Sequence, residues 1–257
     1  MDGPGPEVLR EDMLDGLEHA LGGPPSDPVR AAMNGVPREE FVAEAPYANR
    51  AGEQGGTVVL APVTVARLLD ALEASAGDDV LVVGAGVGYT SAVLAELVGA
   101  DRVHAVDIER GVVYEARANL AAAGYGAVLV DRGDGARGLP EYAPFDRVLV
   151  EAAAVEPPRA LLDQLSADGR LVMPLGSGPA QTLVAVEQGA RSGGDVVEEY
   201  GDITLRPLLV EGEQASAPVR NRTVREDAEF ARQGYFAKTG WEHEWIDWDD
   251  RLQGTDR

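Results

Sequence analysis

The sequence has no cysteine, which excludes disulfides, thiolate nucleophiles and cysteine-ligated zinc. Lysine occurs once, at Lys238; the rest of the 22 Lys plus Arg are arginines. The histidines, His19, His104 and His243, are scattered and show no metal-ligand spacing. Aromatic residues make up only 5%, and the three tryptophans, Trp241, Trp245 and Trp248, all fall near the C-terminus. No apolar run approaches the roughly 20 residues needed to cross a bilayer. Met1 to Glu7 lack the basic start and apolar stretch of a secretory signal, so the expected location is the cytoplasm and no membrane is expected as a partner.

What is present is apolar residue enough for a core: 45% of 257 residues, sufficient for one α/β domain with appendages. Acids outnumber bases 44 to 22, a formal net charge of −22. A surface of that sign opposes attraction to nucleic acid and anionic lipid. The acids are spread along the whole chain, and lysine is displaced. That pattern points to a salt-adapted, halophilic cytoplasm, where high ionic strength screens self-repulsion. The alternative is an acidic docking surface for a basic partner.

Apolar spacing predicts a helix over Glu7 to Leu21, ended by Gly22-Gly23-Pro24-Pro25. A short second helix, capped by Ser26 or Asp27, runs through Met33, and Val36 to Phe41 reads as a turn. From Thr64 the pattern alternates. Helices are expected at Thr64–Ser75, Thr90–Val98, Gly111–Ala123 and Arg159–Leu165. Strands are expected at Asp79–Gly84, Arg102–Val106, Ala127–Val130, Phe145–Val150 and Gly169–Met173, with an edge pair at Gln181–Gln188 and Ile203–Leu209. Buried strands alternating with helices specify an α/β fold, a doubly wound parallel sheet with helices on both faces. The expected organisation is an N-terminal helical cap and substrate-side segment over 1–63, a ligand-binding domain over 64–212, and an acidic extension over 213–257. In the extension the tryptophans recur at helical spacing, either as a docking helix or as a partner site.

The chemistry concentrates at three places. Val80 to Tyr89 reads VLVVGAGVGY, with Gly84, Ala85, Gly86 and Gly88 where a strand turns into a helix. Glycines there permit a tight turn and close approach of a ligand to the main chain. The third glycine of a dinucleotide fingerprint is absent, since position 89 is tyrosine. Asp107, followed by Ile108, ends the next strand, 23 residues after Gly84. A carboxylate there can accept from both hydroxyls of a ribose. Gly133-Asp134-Gly135 follows the third strand; it is a tight turn placed where an adenine amino group could donate to Asp134. All three lie at C-terminal ends of parallel strands, where open α/β sheets bind ligands.

With these residues in order, the chain resembles the protein-L-isoaspartate O-methyltransferases, class I enzymes dependent on S-adenosyl-L-methionine (SAM). The G-x-G-x-G loop is similar to their first motif. Ala31 to Val42 (AAMNGVPREEFV) looks like their N-terminal signature, and Phe145 to Val150 with Ala152-Ala153-Ala154 like their fourth-strand segment. Leu165 to Gly176 and Leu205-Arg206-Pro207-Leu208 are similar to later strands, so the resemblance covers roughly 7–212. It implies SAM as cofactor, and as substrate a protein or peptide with an isoaspartyl residue. The free carboxylate of that residue is methylated, and the ester closes to a succinimide as a step of protein repair. A carboxylate is already ionised at neutral pH, so no general base is required; the site must align the oxygen and exclude water.

The sequence departs from the family at the site. Aligned on Ala61-Pro62, Leu60 stands where the family has an active-site serine. Thr57 and Thr64 are nearby hydroxyls that could substitute. Val82 stands where the loop strand usually has an acid, and Glu151 where a small residue is expected. Glu151 reads either as a solvated loop acid or as a contact to substrate or cofactor. Beside a carboxylate substrate it would be repulsive. These departures keep two alternatives open: the same fold acting on another acceptor, and a non-catalytic SAM-binding protein. A nicotinamide oxidoreductase is the weakest reading. The sequence carries no signature of oligomeric state.

Overall fold

The computed structural model describes residues 4–187 and 194–210; the tryptophan-containing extension expected over 213–257 lies outside the described residues. Two N-terminal helices, α1 (Pro6–Leu21) and α2 (Asp27–Gly35), open the chain. Each has a proline in its first turn, where a missing N–H costs nothing. α1 stops at Gly22, which takes the left-handed conformation at φ 78°. A single 3-10 turn at Arg38–Glu40 follows, then a hairpin of β1 (Gly52–Gln54) and β2 (Thr57–Val59). Gly55-Gly56 make the turn of this hairpin, which periodicity does not announce because its strands are three residues long.

The alternating pattern follows as α3 (Pro62–Leu72), β3 (Val80–Val83), α4 (Tyr89–Val98), β4 (Val103–Asp107), α5 (Arg110–Ala122) and β5 (Leu129–Arg132). It continues with β6 (Phe145–Val150), α6 (Arg159–Leu162), β7 (Leu165–Ser177), β8 (Ala180–Glu187) and β9 (Asp195–Ile203). The seven strands from β3 onward form one sheet in the order β5-β4-β3-β6-β7-β8-β9. The pairings from β5 across to β7 are parallel, and the last two are antiparallel. The chain builds outward from β3 to β5, then returns to lay β6 on the other side of β3. That reversal is the topological switch point of a doubly wound sheet.

Side chains alternate across the sheet with period two. Val80, Val82, Ala105 and Leu149 join a core with α3, α4 and α5, while Leu81, Val83, Val106, Val148 and Val150 join a second core on the other face with α6. Each fully buried Val or Leu contributes on the order of 1.5–3 kcal/mol. Met13, Leu14 and Leu17 of α1 and Val29 and Met33 of α2 belong to the first core, so the N-terminal helices pack onto α3 and α4, which cover that face of the sheet. Val82 is fully buried there, in surroundings that suit valine.

Two expected elements differ. Ile203–Leu209 is not an edge strand. Pro207 lacks the N–H a ladder needs, and after Ile203 the chain leaves β8 as a strap crossing the end of β6. Ala153 N–H donates to Arg206 O at 2.8 Å and Leu208 N–H to Ala153 O at 2.8 Å. The edge is instead β9, whose charged sequence DVVEEYGDI hides its strand character because its outer face is in water. The helix expected over Arg159–Leu165 is a single turn, Arg159–Leu162, because Leu165 already starts β7.

Candidate active site

The site follows from strand register. Val83 of β3 is level with Val106 of β4 and Val150 of β6. The next residue on each strand, Gly84, Asp107 and Glu151, therefore emerges side by side at the C-terminal edge. Gly84 N–H donates to Val106 O at 2.9 Å and Glu151 N–H to Val83 O at 2.8 Å, locking the row. Gly133 N–H donates to Asp107 O at 3.0 Å, adding the end of β5 to the same edge.

The loop after β3 needs glycine. Gly84, Gly86 and Gly88 have φ of 95°, 52° and 93°, a region that side-chain-bearing residues avoid. The loop ends at α4, whose first-turn N–H groups lack intrahelical acceptors. Gly135 is required for packing: a Cβ there would lie 2.5 Å from the Val83 side chain. Asp134 uses its carboxylate to cap the turn that follows, accepting from Ala136 N–H at 3.0 Å.

Asp107 accepts from Glu109 N–H at 3.0 Å and from Gly86 N–H at 3.4 Å, so its carboxylate is aimed at the glycine loop. Burial raises its pKa above the ordinary value, and those two N–H groups oppose the rise. A cleft opens over this edge in two joined chambers. The larger, about 320 Å³, is lined by Thr57, Leu60, Thr64, Gly84, Asp107 and Glu151 among others. The smaller, about 140 Å³, runs over Val106, Asp107, Ile108, Val112, Gly135 and Leu208. Thus Gly84, Gly86, Asp107, Ile108, Gly135, Thr57, Thr64 and Glu151 all meet at one cleft. Ala85 borders its inner end, while Gly88, Gly133 and Asp134 support the edge from outside these walls.

The strap, unrecognised in the sequence as a wall, supplies Leu205, Arg206, Pro207 and Leu208 to the cleft. Arg206 pairs with Glu53 of the hairpin, joining the two sides of the mouth. Among the described residues lining the two chambers, Arg206 is the one cation, and Asp107, Glu109 and Glu151 are acids. This donor set repels a pyrophosphate. It suits a cationic ligand with vicinal hydroxyls and a flat base that can lie against Val106, Ile108 and Leu208. SAM, carrying a sulfonium, an ammonium, a ribose and an adenine, fits it.

Glu151 is partly exposed to the cleft as a residue, but its Oε1 is cut off from solvent and has no hydrogen-bond partner. The expectation of a solvated loop acid is therefore corrected, because the strand-end position tucks the carboxyl beneath the loop. Burial lifts its pKa to about 7; a hydrogen bond with Thr90 opposes this, Asp107 adds to it and Arg38 opposes it. Arg38 is 1% exposed. Its guanidinium lies 4.3 Å over the Tyr89 ring and donates to Pro46 O at 2.8 Å and Leu60 O at 2.7 Å. It therefore fixes the segment that carries Leu60 into the wall. His104 is half-buried on β4, packed between Tyr142 and Phe145 at ring distances of 4.6 and 5.8 Å, and plays no part in the cleft.

The family described as Protein-L-isoaspartate(D-aspartate) O-methyltransferase matches residues 10–203. The chain is 40% identical over 185 residues to a protein-L-isoaspartate O-methyltransferase of Roseiflexus sp. (strain RS-1), covering 69% of this chain and 82% of the relative. It is 41% identical over 209 residues to the Rhodopseudomonas palustris protein of that name, covering 77% of this chain and 92% of the relative. The chain belongs to the protein-L-isoaspartate O-methyltransferase family. A solved structure of that name superposes with a TM-score of 0.65 at 26% identity, over 76% of this chain and 65% of that one. The Plasmodium falciparum structure in complex with S-adenosyl-L-homocysteine, at 21% identity, shares the fold with a TM-score of 0.67 over 80% of this chain and 99% of that one. Within this isoaspartate methyltransferase fold, the two departures noted at Leu60 and Glu151 fall on walls of the same chamber.

Proposed function

We propose that this protein binds SAM in the cleft and methylates the free carboxylate of isoaspartyl residues in damaged proteins. The observation that carries the reading is the row of Gly84, Asp107 and Glu151, an acidic edge around a glycine loop where Arg206, paired with Glu53, is the one cation among the described lining residues. Gly84, Ala85, Gly86 and Gly88 form the platform for the amino-acid end. Asp107 and Ile108 take the ribose, and Gly135 faces the adenine, with Gly133 and Asp134 shaping that turn from behind. When bound, SAM supplies an electrophilic methyl group.

The chain's own residues do the positioning. The acceptor carboxylate arrives ionised, so no residue has to remove a proton. Thr57 and Thr64 are the hydroxyls of the acceptor-side chamber and stand nearest to the role lost at Leu60. Leu60, Val58 and Ala61 give that side an apolar lining, which limits water around the reacting oxygen. Residues 1–63, with Thr64 and the strap, wall the acceptor, and the remainder of the domain expected over 64–212 holds the cofactor. A protein or peptide is the partner, without nucleic acid, in a salt-rich cytoplasm.

A second reading, methylation of another acceptor, is favoured by Glu151, since an ionised carboxylate in the chamber repels a carboxylate substrate. Competition between an isoaspartyl peptide and a cell extract for labelled methyl separates the two. Label on the peptide supports repair, whereas label only on extract components supports the second reading.

A further inference from the structure

We propose that Glu151 works in its neutral form, as a hydrogen-bond donor to the acceptor carboxylate, taking over the role of the hydroxyl missing at Leu60. The inference rests on the isoaspartyl reading above and deepens it. Leu60 and Glu151 line the same chamber and the same narrow inner extension beneath it, so a group on one can act where the other is silent. Leucine offers no donor. Glu151 offers one only when protonated, since a carboxylate is an acceptor alone.

Every element packed around Glu151 bears on that proton. Asp107, at the end of β4, favours its retention. Arg38, from the turn before the hairpin, and Thr90, on α4, favour its loss. Tyr89 of α4 lies under Arg38, with its ring 4.3 Å from the guanidinium. Arg206 of the strap lines the same chamber but is engaged by Glu53. Burial lifts the group to about 7 before any ligand enters, so the neutral form is already substantial near neutrality. The positive charge of SAM works against the proton and the negative charge of the acceptor works for it. Two carboxylates brought together share one proton rather than both ionise. The Glu151 carboxyl, one oxygen of which has no hydrogen-bond partner, then gains one where the residue borders the chamber. The two departures, singly unfavourable, compensate each other. No covalent bond to Glu151 forms; it keeps its proton through the reaction, and the methyl ester leaves as a neutral product.

The test is the affinity of a blocked isoaspartyl peptide lacking histidine, measured by calorimetry in the presence of S-adenosylhomocysteine, for wild type, Glu151→Gln and Glu151→Leu. Methyl transfer to the same peptide is followed in parallel. Wild-type affinity should fall about 30-fold between about pH 6 and pH 8.5, because the neutral fraction drops by that factor and the ionised carboxyl, besides losing the donor, repels the acceptor. Glu151→Gln keeps an N–H donor and should bind well at both pH values without the alkaline fall. Glu151→Leu should bind roughly 10-fold more weakly than wild type at the lower pH, the loss of one hydrogen bond to a charged group. A flat wild-type profile in an enzyme that does methylate the peptide overturns this inference alone. The same alkaline fall in Glu151→Gln also overturns it. Wild type that neither binds nor methylates the peptide at any pH overturns the isoaspartyl reading and, with it, the inference.

Discussion

Asp107 and Glu151 leave the sheet one residue beyond the same row of paired strands, yet they are asked to do opposite things. Asp107 has two backbone N–H donors to hold its charge. Asp107→Ala removes the acceptor for two ribose hydroxyls and should weaken SAM binding by roughly 10- to 100-fold in calorimetry. Unchanged affinity would mean that the ribose lies elsewhere. Glu151 has an oxygen without a partner, and its folded-state pKa of about 7 lies above that of an exposed glutamate. The folded protein therefore holds a proton that the unfolded chain gives up between the two values. Stability from this group is present below the unfolded pKa and is lost as pH rises towards and through 7. Glu151→Gln should gain on wild type by about 3 kcal/mol at alkaline pH and by little at about pH 4, read by denaturant unfolding. An equal difference at both pH values would show that the carboxyl is not desolvated in solution.

At the scale of elements, the N-terminal third and the strap shape the acceptor side. Arg38 ties Pro46 and Leu60 together through their carbonyl oxygens. Arg38→Ala strands both acceptors and should cost about 2–5 kcal/mol of unfolding free energy. It should also raise KM for peptide more than KM for SAM, since the segment it holds walls the acceptor. The Arg206–Glu53 pair is more than half exposed on both sides, at 54% and 76%. Glu53→Gln should therefore change stability by less than about 1 kcal/mol. The parallel strands and helices were legible because their periodicity and glycine punctuation are local. Gly84, Asp107 and Gly135 could be named because each follows a strand end. The strap was not legible: Ile203 to Leu209 is apolar enough to read as a strand, and only the bonds of Ala153 to Arg206 and Leu208 reveal it as a cleft wall. Glu151 was visible as an anomaly, but its burial depends on register with Val83, which no single segment encodes.

On the scale of the whole molecule, charge is the distinctive property. A net charge of −22 on 257 residues repels itself, and added salt screens that repulsion. The thermal midpoint should rise from about 0.1 M to about 2 M KCl, as the Debye length falls from about 10 Å to less than 3 Å. A midpoint that stays flat would remove the salt-adapted reading and leave the acids as a docking surface. The most direct test of the central claim is transfer of labelled methyl from SAM to an isoaspartyl peptide, beside its normal aspartyl twin, in molar KCl. Label on the isoaspartyl peptide alone is the predicted result. No label on either, from protein that binds SAM, would contradict it.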